Sequence, residues 1–263
     1  MKTAIISDIH ANPAALLSVL ADIERQNCSR IVCLGDIVGY GYDPNACIDI
    51  CRERGIECFL GNHDAGLISR LGLDWFNTFA RQAIVRHRPL VTVENKRWLA
   101  NLPYNRREGE TAFAHGVYVV DPVSTSTHYD YVNGYSDAVW QFNLMGLFGI
   151  RVLFVGHTHF ANAFRQGNSS EIAEYFIDAE DEQPIDLSGF HRFIVNVGSV
   201  GYPRNQPYSM YGIYDPDTHI FKPRLLPFDF DNYEAKMKSS GAEVPLWLSS
   251  RKKQAEYRQI GFR

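Results

Sequence analysis

Three short apolar runs in the first 64 residues each end in a polar cluster, and a helix-length stretch separates each run from the next. Thr3 to Ile6 leads into Ser7-Asp8-Ile9-His10, Ile31 to Leu34 into Gly35-Asp36, and Ile56 to Leu60 into Gly61-Asn62-His63-Asp64. Asn12-Pro13 reads as a helix start, because asparagine caps and proline is pre-set for the first helical position. Leu16, Leu17, Leu20 and Ile23 continue it as a helical stripe to about Gln26. Asp43-Pro44 opens a second helix, with Ile48 and Cys51 facing inward and Gly55 closing it. Strand, helix, strand, helix, strand with short connections predicts a parallel α/β sheet. Open sheets of this kind bind ligands beyond the carboxyl ends of their strands, and all three polar clusters fall there.

Downstream the pattern changes. Trp75, Phe76, Phe79, Ile84, Val85, Trp98 and Leu99 recur at helical spacings, which predicts a helical excursion at about 66–105, interrupted at Pro89. Thr111 to Ala114 is a short strand ending in His115-Gly116, and the Ser-, Thr- and Asp-rich stretch from Asp121 to Gly134 is a loop. Ser136 to Phe148 reads as a helix. It leads into the buried strand Arg151 to Val155 and then Gly156-His157-Thr158-His159, where two histidines two residues apart leave one strand end. Beyond residue 155 an antiparallel half is expected. Ala161 to Arg165 and Ile172 to Phe176 flank a Gly167-Asn168 turn, and Phe193 to Val197 precedes Gly198-Ser199-Val200-Gly201. Met210 to Tyr214 and His219 to Leu225 flank Asp215-Pro216-Asp217-Thr218. Two helical patterns, split by Gly241 and Pro245, occupy about 231–263. One mixed α/β domain spanning 1–263 is the expectation.

A formal net charge of -4 gives no reason to expect a nucleic-acid-binding face, and Arg251-Lys252-Lys253 reads as a solvated helix face. Five cysteines without a Cys-x-x-Cys pair read as reduced thiols rather than a disulfide framework or a thiolate metal site. No apolar run reaches a membrane span, and the stretch before Ser7 is too short for a signal peptide, so the cytoplasm is the expected location.

The strand-end residues Asp8, His10, Asp36, Asn62, His63, Asp64, His115, His157 and His159 form one constellation. Mixed oxygen and imidazole donors suit first-row divalent ions; manganese is the first expectation, and iron, zinc and nickel accept the same ligands. Seven ligands exceed one tetrahedral site but suit two ions about 3.5–4 Å apart that share a carboxylate. Such a centre acidifies a bridging water and clamps a tetrahedral oxyanion, which points to phosphoester hydrolysis.

Asp8-x-His10, Gly35-Asp36, Gly61-Asn62-His63-Asp64, His115 and Gly156-His157-x-His159 resemble the motif set of the calcineurin-like metallophosphoesterase superfamily, in its order and spacing, with about 26 residues between the first three blocks. Gly35 to Gly41 and Asn196 to Gly201 look like the small bacterial phosphodiesterase branch. The resemblance implies two mixed sheets packed as a sandwich and flanked by helices, a four-layer fold. It implies Asp8, His10 and His159 on a first metal, Asn62, His115 and His157 on a second, and Asp36 bridging them. His63 would hydrogen-bond the phosphoryl oxygens or protonate the leaving group, and Asp64 would orient His63; a cap on the following helix is the plainer reading of Asp64. Protein phosphatases of the superfamily carry Asp-Arg where this chain has Gly39-Tyr40, so the arginine that would grip phosphate there is absent.

The expected activity is therefore that of a dinuclear metal-dependent phosphodiesterase or nucleotide hydrolase using a metal-bridging hydroxide. A phosphomonoesterase with the same centre and a non-catalytic metal-binding scaffold are the alternatives. The expected partner is a small phosphoester or nucleotide. His128 is a possible substitute for His115, and Gly198-Ser199 and Arg204 are possible phosphate contacts. Tyr40 and Tyr42 are read as either site walls or packing anchors, and His87, His191 and His219 as structural or exposed.

Overall fold

The computed structural model describes residues 1–120, 126–167, 171–177, 182–204 and 207–259, with side chains as far as Lys253. Residues 121–125 of the expected loop and Asn168 of the expected turn lie outside the described residues. Strands β1 (Thr3–Ile6), β2 (Arg30–Cys33) and β3 (Glu57–Cys58) run parallel, with Ile5 opposite Val32 and Cys33 opposite Cys58. The helices between them are α1 (Pro13–Arg25) and α2 (Pro44–Glu53). Asn12 caps α1 by accepting from the Ala15 N–H at 3.2 Å, and Asp43 caps α2 by accepting from the Ala46 N–H at 3.0 Å. In both, proline follows the cap, where its missing N–H costs nothing.

A second parallel set forms from β5 (Thr111–Ala114), β6 (Val152–Val155) and β10 (Arg192–Val197). Around these two sets the remaining strands complete two six-stranded sheets. The first has the order β3-β2-β1-β11-β12-β9, with β9 (Ile185–Asp186), β11 (Tyr208–Asp215) and β12 (Ile220–Pro227). The second has the order β4-β5-β6-β10-β7-β8, with β4 (Asn105–Glu108), β7 (Ala161–Gln166) and β8 (Ile172–Phe176).

The expectation of a wholly antiparallel half after residue 155 is corrected by β10, which lies parallel to β6. The turn signals between successive strands suggested hairpins, but β9 leaves to pair with β12 in the other sheet. The chain therefore re-enters at β10 beside β6, and the antiparallel partner of β10 is β7.

Strand alternation sorts the side chains into layers. Ile5, Val32, Phe113, Phe154, Val195 and Phe221 fill the space between the sheets. Their neighbours Ala4 and Ile6 face α1 and α2, whereas Ala112, Leu153 and Ile194 face α6 (Tyr135–Leu147). The result is helix, sheet, sheet, helix, the four-layer arrangement expected. The helical excursion comprises α3 (Asn62–Leu67), a 3-10 turn at Leu73–Trp75, α4 (Thr78–His87) and α5 (Val93–Ala100). It packs on the helical side of the first sheet together with α7 (Phe230–Ser239) and Trp247, which opens α8 (Trp247–Gln259). All five cysteines are free thiols. Among the described residues no helix is long and apolar enough to cross a membrane.

Candidate metal centre

Asp8 and His10 leave the end of β1, and His159 leaves the end of β6. The Nε2 atoms of His10 and His159 stand 3.0 Å apart, with Asp8 Oδ1 at 3.6 and 3.2 Å from them. The other nitrogen of each ring is committed to a carbonyl: His10 Nδ1 to Val38 at 3.1 Å, and His159 Nδ1 to Tyr202 at 2.7 Å. Because a carbonyl only accepts, each Nδ1 carries the proton and each Nε2 turns a lone pair inward. Asp8 Oδ1 is fully buried and receives no hydrogen bond. Two imidazole lone pairs and an orphaned carboxylate oxygen form a donor set that a divalent cation would satisfy.

The second cluster repeats this arrangement at His157 only, since His115 Nδ1 is buried without a hydrogen-bond partner. His115 Nε2 lies 3.1 Å from both Asn62 Oδ1 and His157 Nδ1, and 3.3 Å from Asp36 Oδ2. His157 turns its other nitrogen, Nε2, to the Tyr129 carbonyl at 2.9 Å. Asp36 Oδ2 is also 3.7 Å from His10 Nε2, so one carboxylate oxygen faces both clusters. Within each His/Asp group the prospective ligand atoms all lie within 4.8 Å of one another. Backbone amides hold the carboxylates: the His63 N–H donates to Asp36 Oδ1 at 2.8 Å and the His157 N–H to Asp8 Oδ2 at 3.0 Å.

Burial works to raise Asp36, but His115, His63 and His10 outweigh it and leave its pKa lowered. Burial lowers His115, yet Asp36 prevails and pushes that imidazole up to about 9. Burial and the charge on His115 push His157 down to about 3, and burial with Arg204 pushes His159 down to about 4. The Asp36 carboxylate facing both groups and the imidazole nitrogens turned inward fit a two-cation centre.

All seven expected ligands are thus brought together, and His63 lies beside them. Its ring packs edge-on against His10 at 4.8 Å and tilted against Tyr40 at 4.6 Å. Burial pushes the His63 imidazole well below its ordinary value despite Asp36 nearby, so the ring is neutral. Asp64 does not meet the expectation of orienting His63. Its carboxylate accepts from the Val38, Gly61 and Ile37 N–H groups at 3.0, 3.1 and 3.3 Å. It caps α3 from the third helical position and pins the Asp36 loop, three donors that occupy both oxygens. Burial and Asp36 push Asp64 up to about 7.

Other residues sort similarly. His128 stacks on Tyr104 at 4.4 Å and is outside the ligand clusters. Gly198 and Val200 direct their N–H groups to Asn196 Oδ1 and the Ser7 carbonyl, and Ser199 Oγ donates to the Asp8 carbonyl, so this turn braces the β1 end rather than offering a phosphate cradle. Tyr42 reaches Asn12 Oδ1 at 3.4 Å and is a packing anchor. Three supports had no role at the site assigned from the sequence. Asn196 Nδ2 donates to the Gly156 carbonyl and Thr158 Oγ1, holding the histidine loop. His87 Nδ1 accepts from the Gly39 N–H at 3.3 Å, and Nε2 faces the Gly41 carbonyl at 3.2 Å. Arg86 donates to the Tyr40 and Gly41 carbonyls, so α4 clamps the loop that carries Tyr40.

Sheet order, layers and a two-cluster site at the strand ends define a metallophosphoesterase. A sequence model of the calcineurin-like phosphoesterases matches residues 1–161, and the chain belongs to that family. An uncharacterized protein of Methanocaldococcus jannaschii is 31% identical over 94% of this chain and 96% of its own length. The crystal structure of a metallophosphoesterase from Sphaerobacter thermophilus superposes with a TM-score of 0.77 at 32% identity, covering 95% of this chain and 97% of the other. A hypothetical protein from Pyrococcus horikoshii shares the fold at a TM-score of 0.67 and 15% identity, over 94% of this chain and 95% of its own.

Proposed function

We propose that the protein is a dinuclear metal-dependent phosphodiesterase acting on a small phosphodiester or nucleotide. The observation that carries this is Asp36 Oδ2 facing both ligand clusters, with His63 beside them. Asp8, His10 and His159 would hold one divalent ion, Asn62, His115 and His157 the other, and Asp36 would bridge them. When bound, the ions supply an acidified attacking water and neutralise charge on the phosphoryl oxygens. The Val38, Tyr202 and Tyr129 carbonyls orient the ligand rings by fixing which nitrogen carries the proton. His63, buried and neutral, is suited to donating a hydrogen bond to a phosphoryl oxygen rather than to releasing a proton.

The basic residues around the site favour a diester. Arg86 and Arg88 are spent on backbone carbonyls, at Tyr40 and Gly41 and at Gly66, while Arg70 is exposed. Arg204 donates to the hydroxyl of Tyr40, whose ring is 4.7 Å from that of His10, and one cation there matches the single negative charge of a diester better than the double charge of a monoester. Initial rates on bis- and mono-p-nitrophenyl phosphate with added manganese test the assignment; faster monoester turnover would refute the diester preference. Metal analysis together with turnover in Asp36→Asn and His63→Ala separates the enzyme from a metal-binding scaffold, which would hold metal without hydrolysing either substrate.

A further inference from the structure

Tyr40 and Tyr202 stack face to face, with ring centroids 4.1 Å apart and planes 13° from parallel. One side of this pair looks at the metal centre: Tyr40 is 4.7 Å from the His10 ring, and Tyr202 is 5.6 Å from the His159 ring. On its other side lies a cavity of about 460 Å³, a volume typical of small-ligand sites. Phe79 of α4 stacks on Tyr40 at 5.7 Å and Trp247 meets Tyr202 edge-on at 4.9 Å, so aromatic rings dominate its wall. Leu246 forms a lip that is 96% exposed. Beyond Tyr40, Tyr202 and Arg204, the wall comes from Asn77 and Phe79 at the start of α4 and from the chain entering α8, two stretches that supply no metal ligand.

Arg204 joins the cavity to the centre. It lines the cavity and donates to the Tyr40 hydroxyl at 3.2 Å. Among the described residues it has no carboxylate partner. A partly buried guanidinium without a carboxylate, beside two ligand clusters that would hold cations, is a ready site for a phosphoryl oxygen pair. Tyr40 stands at the sequence position where protein phosphatases carry arginine, and Arg204, from the loop after β10, donates to its hydroxyl. The tyrosines are buried against each other, so Phe79 and Trp247, both partly exposed, offer the open ring surface, and such surface favours a flat ring because stacking accepts any π-face.

We propose that this cleft holds the planar base of a nucleotide-type phosphoester, while Arg204 grips the phosphate that enters the metal centre. The proposal rests on the phosphoesterase reading and adds to it the substrate class and the residues that select it. Binding to the metal-loaded protein, measured by calorimetry with adenosine 5′-monophosphate and with ribose 5-phosphate, tests it without requiring turnover. The nucleotide should bind about tenfold or more tightly than the sugar phosphate. Leu246→Ser, at a fully exposed lip, and Trp247→Ala should each remove much of that preference by weakening the nucleotide alone. Arg204→Met should weaken both ligands by about tenfold or more. Equal affinities for the two ligands, or a preference untouched by both Leu246→Ser and Trp247→Ala, would overturn the base site even in a protein that hydrolyses bis-p-nitrophenyl phosphate. Unchanged binding in Arg204→Met would overturn the phosphate grip. A nucleotide preference without any turnover would instead sustain the cleft and refute the hydrolase.

Discussion

Gly39→Ala should disable His63 without touching a metal ligand. Gly39 has φ +92, and a Cβ built on it would stand 2.0 Å from His63 Nδ1 and 2.7 Å from its Cγ. Ordinary contact needs about 3.5 Å, so the ring must withdraw by more than about 1 Å. Tyr40, His10 and Phe76, with centroids 4.6, 4.8 and 5.4 Å away, block a sideways shift, and the imidazole must rotate out of place. Losing one pre-positioned donor to a phosphoryl oxygen costs about 10²–10³ in kcat, or about 3–4 kcal/mol of barrier. The left-handed backbone adds about 1–2 kcal/mol of strain for any residue with a Cβ. Gly109→Ala provides the control: φ is +61 there with nothing within 4 Å of the new Cβ, so stability falls and rate does not. The assay is kcat on bis-p-nitrophenyl phosphate alongside metal content per chain and thermal melts for both variants. Gly39→Ala with two metals bound and kcat within twofold of wild type would sink the role of His63. A variant that has shed its metals would show that the ring supports the ligands instead.

Three further outcomes follow from the same geometry. Asp36→Asn weakens both ligand clusters at once, so metal content should fall to one ion or fewer and hydrolysis by about 10³ or more; hydrolysis at wild-type levels would refute the shared carboxylate. Each cluster takes ligands from both sheets, so chelation should loosen the sandwich: at free metal about 100-fold above Kd the linkage is worth about 2.7 kcal/mol, or about 5–10 °C in Tm, and an unchanged melt would count against it. Burial and the neighbouring Arg86 push His87 down to about 3, below its unfolded value of about 6.5. Its contribution is therefore complete above about pH 6.5 and is lost as pH falls toward 3, at about 1.4 kcal/mol per pH unit. His87→Asn should flatten the wild-type decline in urea-melt stability between about pH 6.5 and 4, and parallel slopes would refute the clamp.

The strands and the clustering of the candidate ligands were legible where local chemistry and global position coincide. Asp8, Asp36 and Asn62 each end an apolar run, and a parallel strand end is where an open sheet exposes side chains to a ligand. The caps of α1 and α2 were legible for the same reason, since Asn12 and Asp43 act within three residues of themselves. What escaped depends on partners far along the chain. The parallel setting of β10 depends on β9 leaving for the other sheet, which no turn signal encodes. Strand β4, Asn105-Arg106-Arg107-Glu108, is mostly exposed and lacks apolar alternation; it pairs antiparallel with β5, and Glu108 to Arg30 of β2 at 2.6 Å and Arg106 to Glu57 of β3 tie it across to the first sheet. His87 looked structural and is, but its burden, the Gly39–Gly41 loop, lies 46 to 48 residues away. Asp64 was misassigned because a carboxylate three residues after Gly61 satisfies both a cap and a histidine partner on paper, and only coordinates show backbone amides taking both oxygens.

The backbone explains how so few residues face two ligand clusters. Seven of the ten non-glycine residues with positive φ among the described residues are Asp8, His10, Ala11, Asp36, Tyr40, His157 and His159, all in the loops that carry the centre. In an extended strand His157 and His159 would point the same way about 7 Å apart. At φ 68 and 65 they diverge, His157 toward the His115 cluster and His159 toward the His10 cluster. Each left-handed residue costs about 1–2 kcal/mol, a strain that persists only where surroundings over-determine it. Here they do: the Asp8, His10 and Ala11 N–H groups donate to the Gly35, Asp36 and Ile37 carbonyls, and Gly201 N–H donates to the Asp8 carbonyl. Glycine would relieve the strain but remove the ligand. Aspartate and histidine are among the few side chains that both tolerate this backbone and bind a divalent ion, so at Asp8, His10, Asp36, His157 and His159 conformation and ligand chemistry select the same residues.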